Sequence, residues 1–312
     1  MTSSRTPRLV SPGDHVAVLS LSGPSDPDAI ARGAERIASR YRVSIDPRAR
    51  GRAGFLAGDD DQRAASLMDA LEDSSVSALF CARGGYGATR VLERHGAKIA
   101  DALCANPKPI VGFSDTTALH VLWQRCGVRS IHGPMVARMG SSDLVSDADL
   151  HALFAALEGH THPLRSEPTR GASACDGVAR GGNLAVLASL VGTPFAPSFA
   201  GAIVFLEDVG ERPYRVDRML TQLRAAGCFD GARAFVIGEF VDCAPGPDGV
   251  SVEQVIEERL GSLGAPVFVR APFGHGASCA PIALGANASI DAHGTVRFDP
   301  ELCYDAAPRR TP

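Results

Sequence analysis

Ser114 lies where a hydrolytic nucleophile could be placed. The segment Gly112-Phe113-Ser114-Asp115 follows an apolar, strand-like run (109–113) and precedes a helix-like run (116–126). A sharp strand-to-helix turn can expose a serine hydroxyl and direct helix N–H groups at a developing oxyanion. The match to Gly-x-Ser-x-Gly is partial, because a threonine stands at the last position. The segment alone therefore leaves open a simple helix-capping role for the serine or the following aspartate.

Two further residues could supply the base that a serine nucleophile needs. His275 lies between two glycines after a strand-like run (267–272), and Glu207 ends another such run (202–206). A serine hydroxyl is a weak nucleophile without a base to take its proton, and histidine can do so near neutral pH. A carboxylate fixes the histidine tautomer and stabilises the imidazolium. Ser114, Glu207 and His275 together predict a serine hydrolase whose triad spans two domains.

A glycine-rich loop, Arg83-Gly84-Gly85-Tyr86-Gly87, follows a strand-like run that ends at Ala82. Glycines between a strand and a helix let the backbone approach a ligand closely. A phosphate cradle, a tight turn and an oxyanion-hole donor are all compatible with this loop. The spacing is neither that of a dinucleotide-binding loop nor that of a P-loop, which makes a nucleotide binder the weakest interpretation.

The elements that must position these residues alternate along the first half of the chain. Repeated strand-like and helix-like runs predict a parallel sheet with helices on both faces. The composition changes between about residues 140 and 175, and the second half reads as a smaller mixed α/β domain. We predict an N-terminal domain over residues 1–158, a linker over 159–175 and a C-terminal domain over 176–312.

Composition excludes several classes of protein. The 312 residues are 45% hydrophobic and 21% charged with a net charge of −4, as in globular enzymes, and no basic patch predicts a nucleic-acid or anionic-membrane partner. No apolar run approaches the roughly 20 residues of a membrane helix, and the start lacks a signal-peptide core, which predicts a cytoplasmic protein. The eight cysteines form no close pair, and the tight pair His160 and His162 reads as a surface loop. No metal or other cofactor is expected.

Sequence motifs along nearly the whole chain resemble those of the LD-carboxypeptidase family, whose best-known members are muramoyltetrapeptide carboxypeptidases. The matching stretches are Arg83-Gly-Gly-Tyr-Gly-Ala-Thr-Arg-Val-Leu92, Gly112-Phe-Ser-Asp-Thr-Thr-Ala118, His132-Gly-Pro-Met135, Gly181-Gly-Asn-Leu184, Gly192-Thr-Pro194, Leu206-Glu-Asp-Val-Gly-Glu-Arg-Pro-Tyr-Arg-Val-Asp-Arg-Met-Leu220, Pro272-Phe-Gly-His275 and, with a small shift, Pro281-Ile-Ala-Leu-Gly285.

The resemblance implies a role for each matching residue. Ser114 would be the nucleophile, His275 the base and Glu207 the carboxylate that orients it. The N–H groups of Asp115 and Gly85 would form the oxyanion hole. The resemblance also implies an N-terminal Rossmann-like domain, a C-terminal β-rich domain, a site in the cleft between them, a homodimer and no metal.

Other residues are weaker candidates for substrate contacts. Arg83 and Arg180 could each pair with a substrate carboxylate or form a structural ion pair. Gly84 is a further candidate for a substrate contact. Asn183 could line the cleft or cap the helix that follows it. Trp123 shares a helical stripe with apolar residues, so we expect it in the core.

Three functions are compatible with these features. The first is hydrolysis of the L,D amide bond before the terminal D-Ala of murein tetrapeptides, in the recycling of cell-wall fragments. The second is cleavage of aminoacyl or peptidyl nucleotides, as in microcin-immunity peptidases, which use a tryptophan to grip the nucleotide. The only tryptophan here is Trp123, so this function ranks second. The third is a muropeptide-binding protein without catalysis.

Overall fold

Two sheets and the helices that connect them form most of the structure, a computed structural model that describes residues 9–160, 163–169 and 171–299. The strands of this part of the chain are β1 His15–Leu19, β2 Arg42–Ile45, β3 Val76–Cys81, β4 Ile110–Gly112, β5 Ser130–His132, β6 Leu164–Arg165, β7 Glu167–Pro168, β8 Cys175–Asn183, β9 Ala202–Val209, β10 Ala234–Val241, β11 Val267–Val269, β12 Ile282–Leu284, β13 Asn287–Ile290 and β14 Thr295–Phe298. The α-helices are α1 Pro27–Ala38, α2 Asp60–Glu72, α3 Ala88–Ala105, α4 Thr117–Arg125, α5 Val136–Met139, α6 Asp147–Leu157, α7 Leu184–Ser189, α8 Pro213–Ala225 and α9 Val252–Gly261.

The first sheet has the strand order β12-β5-β4-β3-β1-β2, and β1 to β5 are all parallel. The chain winds outward from β1 in both directions, so the order reverses between β1 and β3. Ligands of open parallel sheets bind beyond the carboxyl ends of the strands at this kind of switch point. This sheet confirms the predicted Rossmann-like α/β architecture.

The second sheet has the order β6-β14-β13-β8-β9-β10-β11-β7. Its centre, β8 to β11, is parallel, and the four strands at its two edges pair in antiparallel fashion. The mixed, strand-rich second unit agrees with the predicted fold class. The edge strands β6 and β7 lie inside the segment predicted as a linker, and the boundaries at 158 and 176 stay a prediction.

Strand β12 joins the two halves of the chain. Although it belongs to the C-terminal half, it pairs antiparallel with β5 of the first sheet, with Ile282 opposite His132. A second junction lies where the end of β8 meets the start of α4. Gly182 has φ +139°, and a Cβ added there would lie 2.6 Å from the Thr117 side chain. Only glycine allows the two halves to approach this closely.

Local sequence explains several of the helix starts, through side chains that accept from the first backbone N–H groups. Asp26 caps α1 by accepting from the Asp28 N–H, and Pro27 occupies the first helical position. The helix after the glycine loop, α3, runs from Ala88 to Ala105. Gly96 in its interior does not end the helix. A Cβ there would lie 2.5 Å from the Phe195 ring, so the glycine permits close packing instead.

Candidate active site

Ser114 occupies a strained turn between β4 and α4. Its φ is +59°, a left-handed conformation that costs a non-glycine residue on the order of 1–3 kcal/mol. Phe113 before it is extended, and a short 3-10 helix, Ser114–Thr116, leads into α4. The turn leaves Ser114 half-buried at the carboxyl end of the first sheet. This is the strand-to-helix geometry in which hydrolases expose a nucleophilic serine.

The glycine loop between β3 and α3 packs directly on this turn. A Cβ added to Gly84 would lie 2.9 Å from Ser114 Cβ and 3.0 Å from its Oγ. Gly85 next to it has φ +105°. The Gly84 carbonyl accepts from the Gly23 N–H at 3.0 Å, which fixes the loop against the end of β1. Gly84 therefore lies against Ser114, and Gly85 lines the same cleft.

Asp115 connects the nucleophile turn to the glycine loop through its side chain. Its buried carboxylate accepts from the Ala88 N–H, the first residue of α3, at 2.8 Å. Burial raises the pKa of this carboxyl, although hydrogen bonds from Ser22 and Ala88 and the charge of Arg63 oppose the shift. The sequence offered Asp115 as an oxyanion-hole N–H or as a cap of the helix that follows it, and it did not indicate a bond from its side chain to the start of α3.

Glu207 and His275 form a buried acid–imidazole pair. Glu207 Oε2 lies 2.7 Å from His275 Nδ1, and the Glu207 side chain is fully buried. Burial alone would raise the Glu207 pKa, but interactions with the neighbouring His132 and His275 rings and their charges outweigh it and lower the pKa to about 2. An ionised carboxylate on Nδ1 fixes the tautomer in which Nε2 is the free base.

Two glycines allow the loop of His275 to pass close to carboxylates. Gly274 has φ +113°, and a Cβ there would lie 2.8 Å from Glu207 Oε2. A Cβ on Gly276 would overlap the Glu239 carboxylate, only 0.9 Å from its Oε2. The edge of the His275 ring meets Phe113, with ring centroids 4.6 Å apart. The residue next to Ser114 thus positions the imidazole as well.

Ser114 and His275 line one cleft of about 520 Å³, together with Ser25, Asp26, Ala82, Arg83, Gly84, Gly85, Phe113, Met135, Ala137, Arg138 and Leu144. Clefts of this size hold small-molecule or short-peptide ligands. In the described part of the chain, no hydrogen bond joins Ser114 Oγ to the His275 ring. Catalytic hydrogen bonds are often long in the absence of substrate.

Arg138 is a cleft residue that sequence reasoning missed. Its guanidinium donates to the His275 carbonyl at 3.1 Å and also to the Gly276 carbonyl. Arg138 belongs to α5, shortly after the His132-Gly-Pro-Met135 motif, so it ties the first half of the chain to the histidine loop. Its place after that motif was the available signal, but a contact across 137 residues is not visible in a sequence.

The weaker candidates fall in three different places. Arg83 lines the cleft and donates to the Pro24 carbonyl at 2.6 Å. Asn183 caps α7 through the Val186 N–H and donates to Asp208 Oδ1 at 2.9 Å. Arg180 donates to the Ser198 carbonyl and lines a separate cavity of about 170 Å³. Of these three residues, only Arg83 lines the cleft of Ser114.

The Asp208 side chain positions Asn183 through a hydrogen bond. The Asp208 carboxylate accepts from Asn183 and from the Ala185 N–H at the start of α7, both at 2.9 Å. Burial raises its pKa to about 6, against the opposing hydrogen bonds from Val209 and Asn183. This carboxylate therefore organises the end of β8 beside Glu207 and does not contact His275.

The described residues contain no group of three or more histidine, cysteine, aspartate or glutamate side chains arranged to hold a metal ion. Free thiols lie in the described part of the chain at Cys81, Cys104, Cys175, Cys228, Cys243 and Cys279. Cys303 and His162 lie outside it. Among the described helices, none has the length and apolar character required to cross a bilayer.

Comparison with known proteins agrees with this architecture. Residues 16–133 match the model of the LD-carboxypeptidase N-terminal domain, and residues 176–290 match that of the C-terminal domain. A Synechocystis protein to which a carboxypeptidase function is attributed is 38% identical, over 94% of this chain and 96% of the relative. The murein tetrapeptide carboxypeptidase of Pseudomonas aeruginosa is 33% identical, over 77% of this chain and 80% of the relative.

Solved structures agree as well. The muramoyltetrapeptide carboxypeptidase from Oxalobacter formigenes is 28% identical with a TM-score of 0.79, over 91% of this chain and 98% of that chain. The microcin C7 self-immunity protein shares the fold, with 21% identity and a TM-score of 0.81 over 96% of this chain and 100% of that chain. The matches to both domain models and to full-length relatives confirm the resemblance seen in the sequence motifs. The chain belongs to the LD-carboxypeptidase family.

Proposed function

We propose that this protein is a serine carboxypeptidase that hydrolyses the L,D amide bond before the terminal D-Ala of murein tetrapeptides. The observation that carries the proposal is the Glu207–His275 pair, at 2.7 Å, on the cleft that Ser114 lines. The family and the name of the Pseudomonas aeruginosa relative favour a murein tetrapeptide as the substrate.

The first half of the reaction forms an acyl-enzyme. Ser114 Oγ attacks the carbonyl carbon of the L,D amide, and His275 Nε2 takes the hydroxyl proton. The oxyanion accepts hydrogen bonds from the Asp115 and Gly85 N–H groups. As the tetrahedral intermediate collapses, His275 gives its proton to the leaving nitrogen and D-Ala departs. Glu207 stays ionised and stabilises the imidazolium while it exists.

The second half releases the tripeptide. His275 takes a proton from a water molecule, the resulting hydroxide attacks the ester of Ser114, and the same N–H groups hold the oxyanion again. Collapse returns the proton from His275 to Ser114 Oγ. The products are free D-Ala and a tripeptide with a new carboxylate, so the enzyme returns to its starting state without a cofactor.

The cleft also suggests how the terminal carboxylate is recognised. Arg83 and Arg138 are the two arginines that line it, and a guanidinium matches the geometry of a carboxylate. Arg138 donates to two carbonyls of the histidine loop, whereas Arg83 donates to the Pro24 carbonyl through Nη1, so we assign the substrate contact to Arg83. Arg180 faces another cavity and receives no role in binding. Gly84 contributes by leaving space above Ser114.

The nucleotide-cleaving alternative is disfavoured by the position of Trp123. Its side chain is fully buried, and its Nε1 donates to the Lys108 carbonyl at 2.8 Å. It therefore has no free face to stack on a nucleotide base. We also propose that the protein acts in murein recycling in the cytoplasm and that it forms a homodimer.

Covalent labelling tests the assignment of the nucleophile. A fluorophosphonate probe should add its mass to the peptide that carries Ser114 and to no other. Ser25 is a matched control, because it lines the same cleft but has no acid–imidazole pair in the proposal. Labelling that survives Ser114→Ala but is lost in Ser25→Ala would overturn the assignment.

A further inference from the structure

A second histidine, His132, lies beside the other oxygen of Glu207. Its Nε2 is 3.7 Å from Glu207 Oε1, whereas His275 contacts Oε2. Within the described residues, Glu207 Oε1 and both ring nitrogens of His132 are buried without a hydrogen-bond partner. A buried polar group left unpaired costs about 1–3 kcal/mol. A hydrogen bond from His132 Nε2 to Glu207 Oε1 would satisfy both of these atoms.

The fold holds the His132 ring next to Glu207. His132 ends β5, and its backbone lies between Gly112 of β4 and Ile282 of β12 in the sheet register. The rings of Phe113 and Phe273 flank it, with centroids 5.7 Å and 5.6 Å away. A movement of roughly 0.5–1 Å would bring the 3.7 Å separation to ordinary hydrogen-bond length.

A third histidine, His120, lies close to His132 but carries no charge. His120 in α4 lies with its ring centroid 6.3 Å from that of His132, and its Nε2 donates to the Gly112 carbonyl at 2.8 Å. Burial, assisted by the neighbouring His132, lowers the His120 pKa to about 3, so this ring is neutral. The charged group next to His132 is therefore the Glu207 carboxylate.

We propose that His132 is a positioning residue for the acid–base pair, with its Nε2–H donating to Glu207 Oε1. This inference rests on the proposed function, since it gives a purpose to the pair of Glu207 and His275. With one donor on each oxygen, the carboxylate cannot rotate about its terminal bond. The orientation of the His275 ring toward Ser114 follows from that of the carboxylate. His132 does not line the cleft and does not contact the substrate.

The Glu207 carboxyl itself offers a readout that needs no substrate. The groups packed around it are His132, His275, the adjacent Asp208 and the Cys279 thiol. We expect ¹³C NMR of labelled glutamate to show an ionised Glu207 at the lowest pH at which the wild type is folded. In His132→Leu the carboxyl should titrate at higher pH, toward its ordinary value of 4.5.

Two further variants make this experiment decisive. His132→Gln keeps an N–H donor at similar reach and should titrate like the wild type. If His132→Leu does not fold, His132→Asn replaces it, because its shorter amide cannot reach Oε1, and the same upward shift is expected. An unchanged Glu207 titration in a folded His132→Leu or His132→Asn protein would overturn the proposal.

Kinetics provide the second readout. In D-Ala release from a murein tetrapeptide, His132→Leu should lower kcat by about 10- to 100-fold through a misplaced imidazole, with KM unchanged. His132→Gln should recover most of the loss. Equal losses in both variants, or a loss expressed in KM, would contradict a positioning role. If the wild type releases no D-Ala, the proposed function fails, and the carboxyl titration still decides the role of His132.

Discussion

Asn183 at the end of β8 donates its backbone N–H to Thr117 Oγ1 at the start of α4, at 2.9 Å. Thr117 lies three residues after Ser114, and Asn183 lies opposite Glu207 in the register of β8 and β9. This buried hydrogen bond links the turn of the proposed nucleophile to the strand end of the proposed acid. The position of Ser114 relative to Glu207 therefore depends on a contact between the two halves of the chain.

Thr117→Val tests this link, because it removes the acceptor and keeps the volume. The Asn183 N–H would then be buried without a partner, which should cost about 1–3 kcal/mol in the free energy of unfolding. We also expect kcat/KM to fall, as Glu207 loses its placement relative to Ser114. Urea unfolding and steady-state kinetics measure the two effects. Thr117→Ser keeps the hydroxyl and is the control, so equal behaviour of the two variants would refute the link.

Gly84→Ala tests the space above Ser114. The new Cβ would lie 2.9 Å from Ser114 Cβ, so either the glycine loop or the serine must move. A displacement near 1 Å at a reacting group is expected to reduce kcat by roughly 100-fold or more. A Cβ at Gly261 would meet no atom within 4 Å, which makes Gly261→Ala the matched control. Full activity in Gly84→Ala would mean that this loop does not border the reacting atoms.

Glu207→Gln should remove the charge that orients and stabilises His275. The amide can offer a donor to the imidazole and select the wrong tautomer, so kcat should fall by roughly 10⁴-fold. The adjacent Asp208 is buried too but contacts Asn183 and α7, so Asp208→Asn should retain far more activity. Similar losses of kcat in Glu207→Gln and Asp208→Asn would indicate that removing any buried carboxylate here lowers activity, and would contradict a specific role of Glu207 in a triad.

Glu207 should also make stability depend on pH. Its folded-state pKa of about 2 lies below the ordinary 4.5, so its contribution is complete above about pH 4.5 and is lost as the pH falls toward 2. The full shift corresponds to a stabilisation on the order of 3 kcal/mol. Urea unfolding of the wild type and Glu207→Gln from about pH 6 to about pH 3 should show a gap in stability that narrows below about pH 4.5. A constant gap would contradict the depressed pKa.

Much of the site could be predicted from local sequence, because its key residues lie at the ends of recognisable strands. Ser114 follows β4 of the first sheet, whereas Glu207 lies near the end of β9 and His275 in the loop after β11 of the second sheet. The glycines around Ser114 and His275 mark close backbone approaches. The family motifs then group these residues, although they are separated by up to 161 positions (275 − 114).

What could not be predicted depends on contacts through space. The Arg138 bonds to the histidine loop, the Asp115 bond to α3 and the approach of His132 to Glu207 join segments distant in the chain. Strand β12 pairs with the first sheet although its sequence lies in the second half. Periodicity shows that a segment is a buried strand, but it does not show which sheet the strand completes.

Release of D-Ala from a murein tetrapeptide by the wild type and by Ser114→Ala tests the central proposal most directly. The wild type should release one D-Ala per tetrapeptide and leave the tripeptide, and Ser25→Ala should behave like the wild type. Ser114→Ala should lose roughly 10⁶-fold in kcat, as expected when a serine nucleophile is removed. Undiminished release of D-Ala by Ser114→Ala would contradict the account.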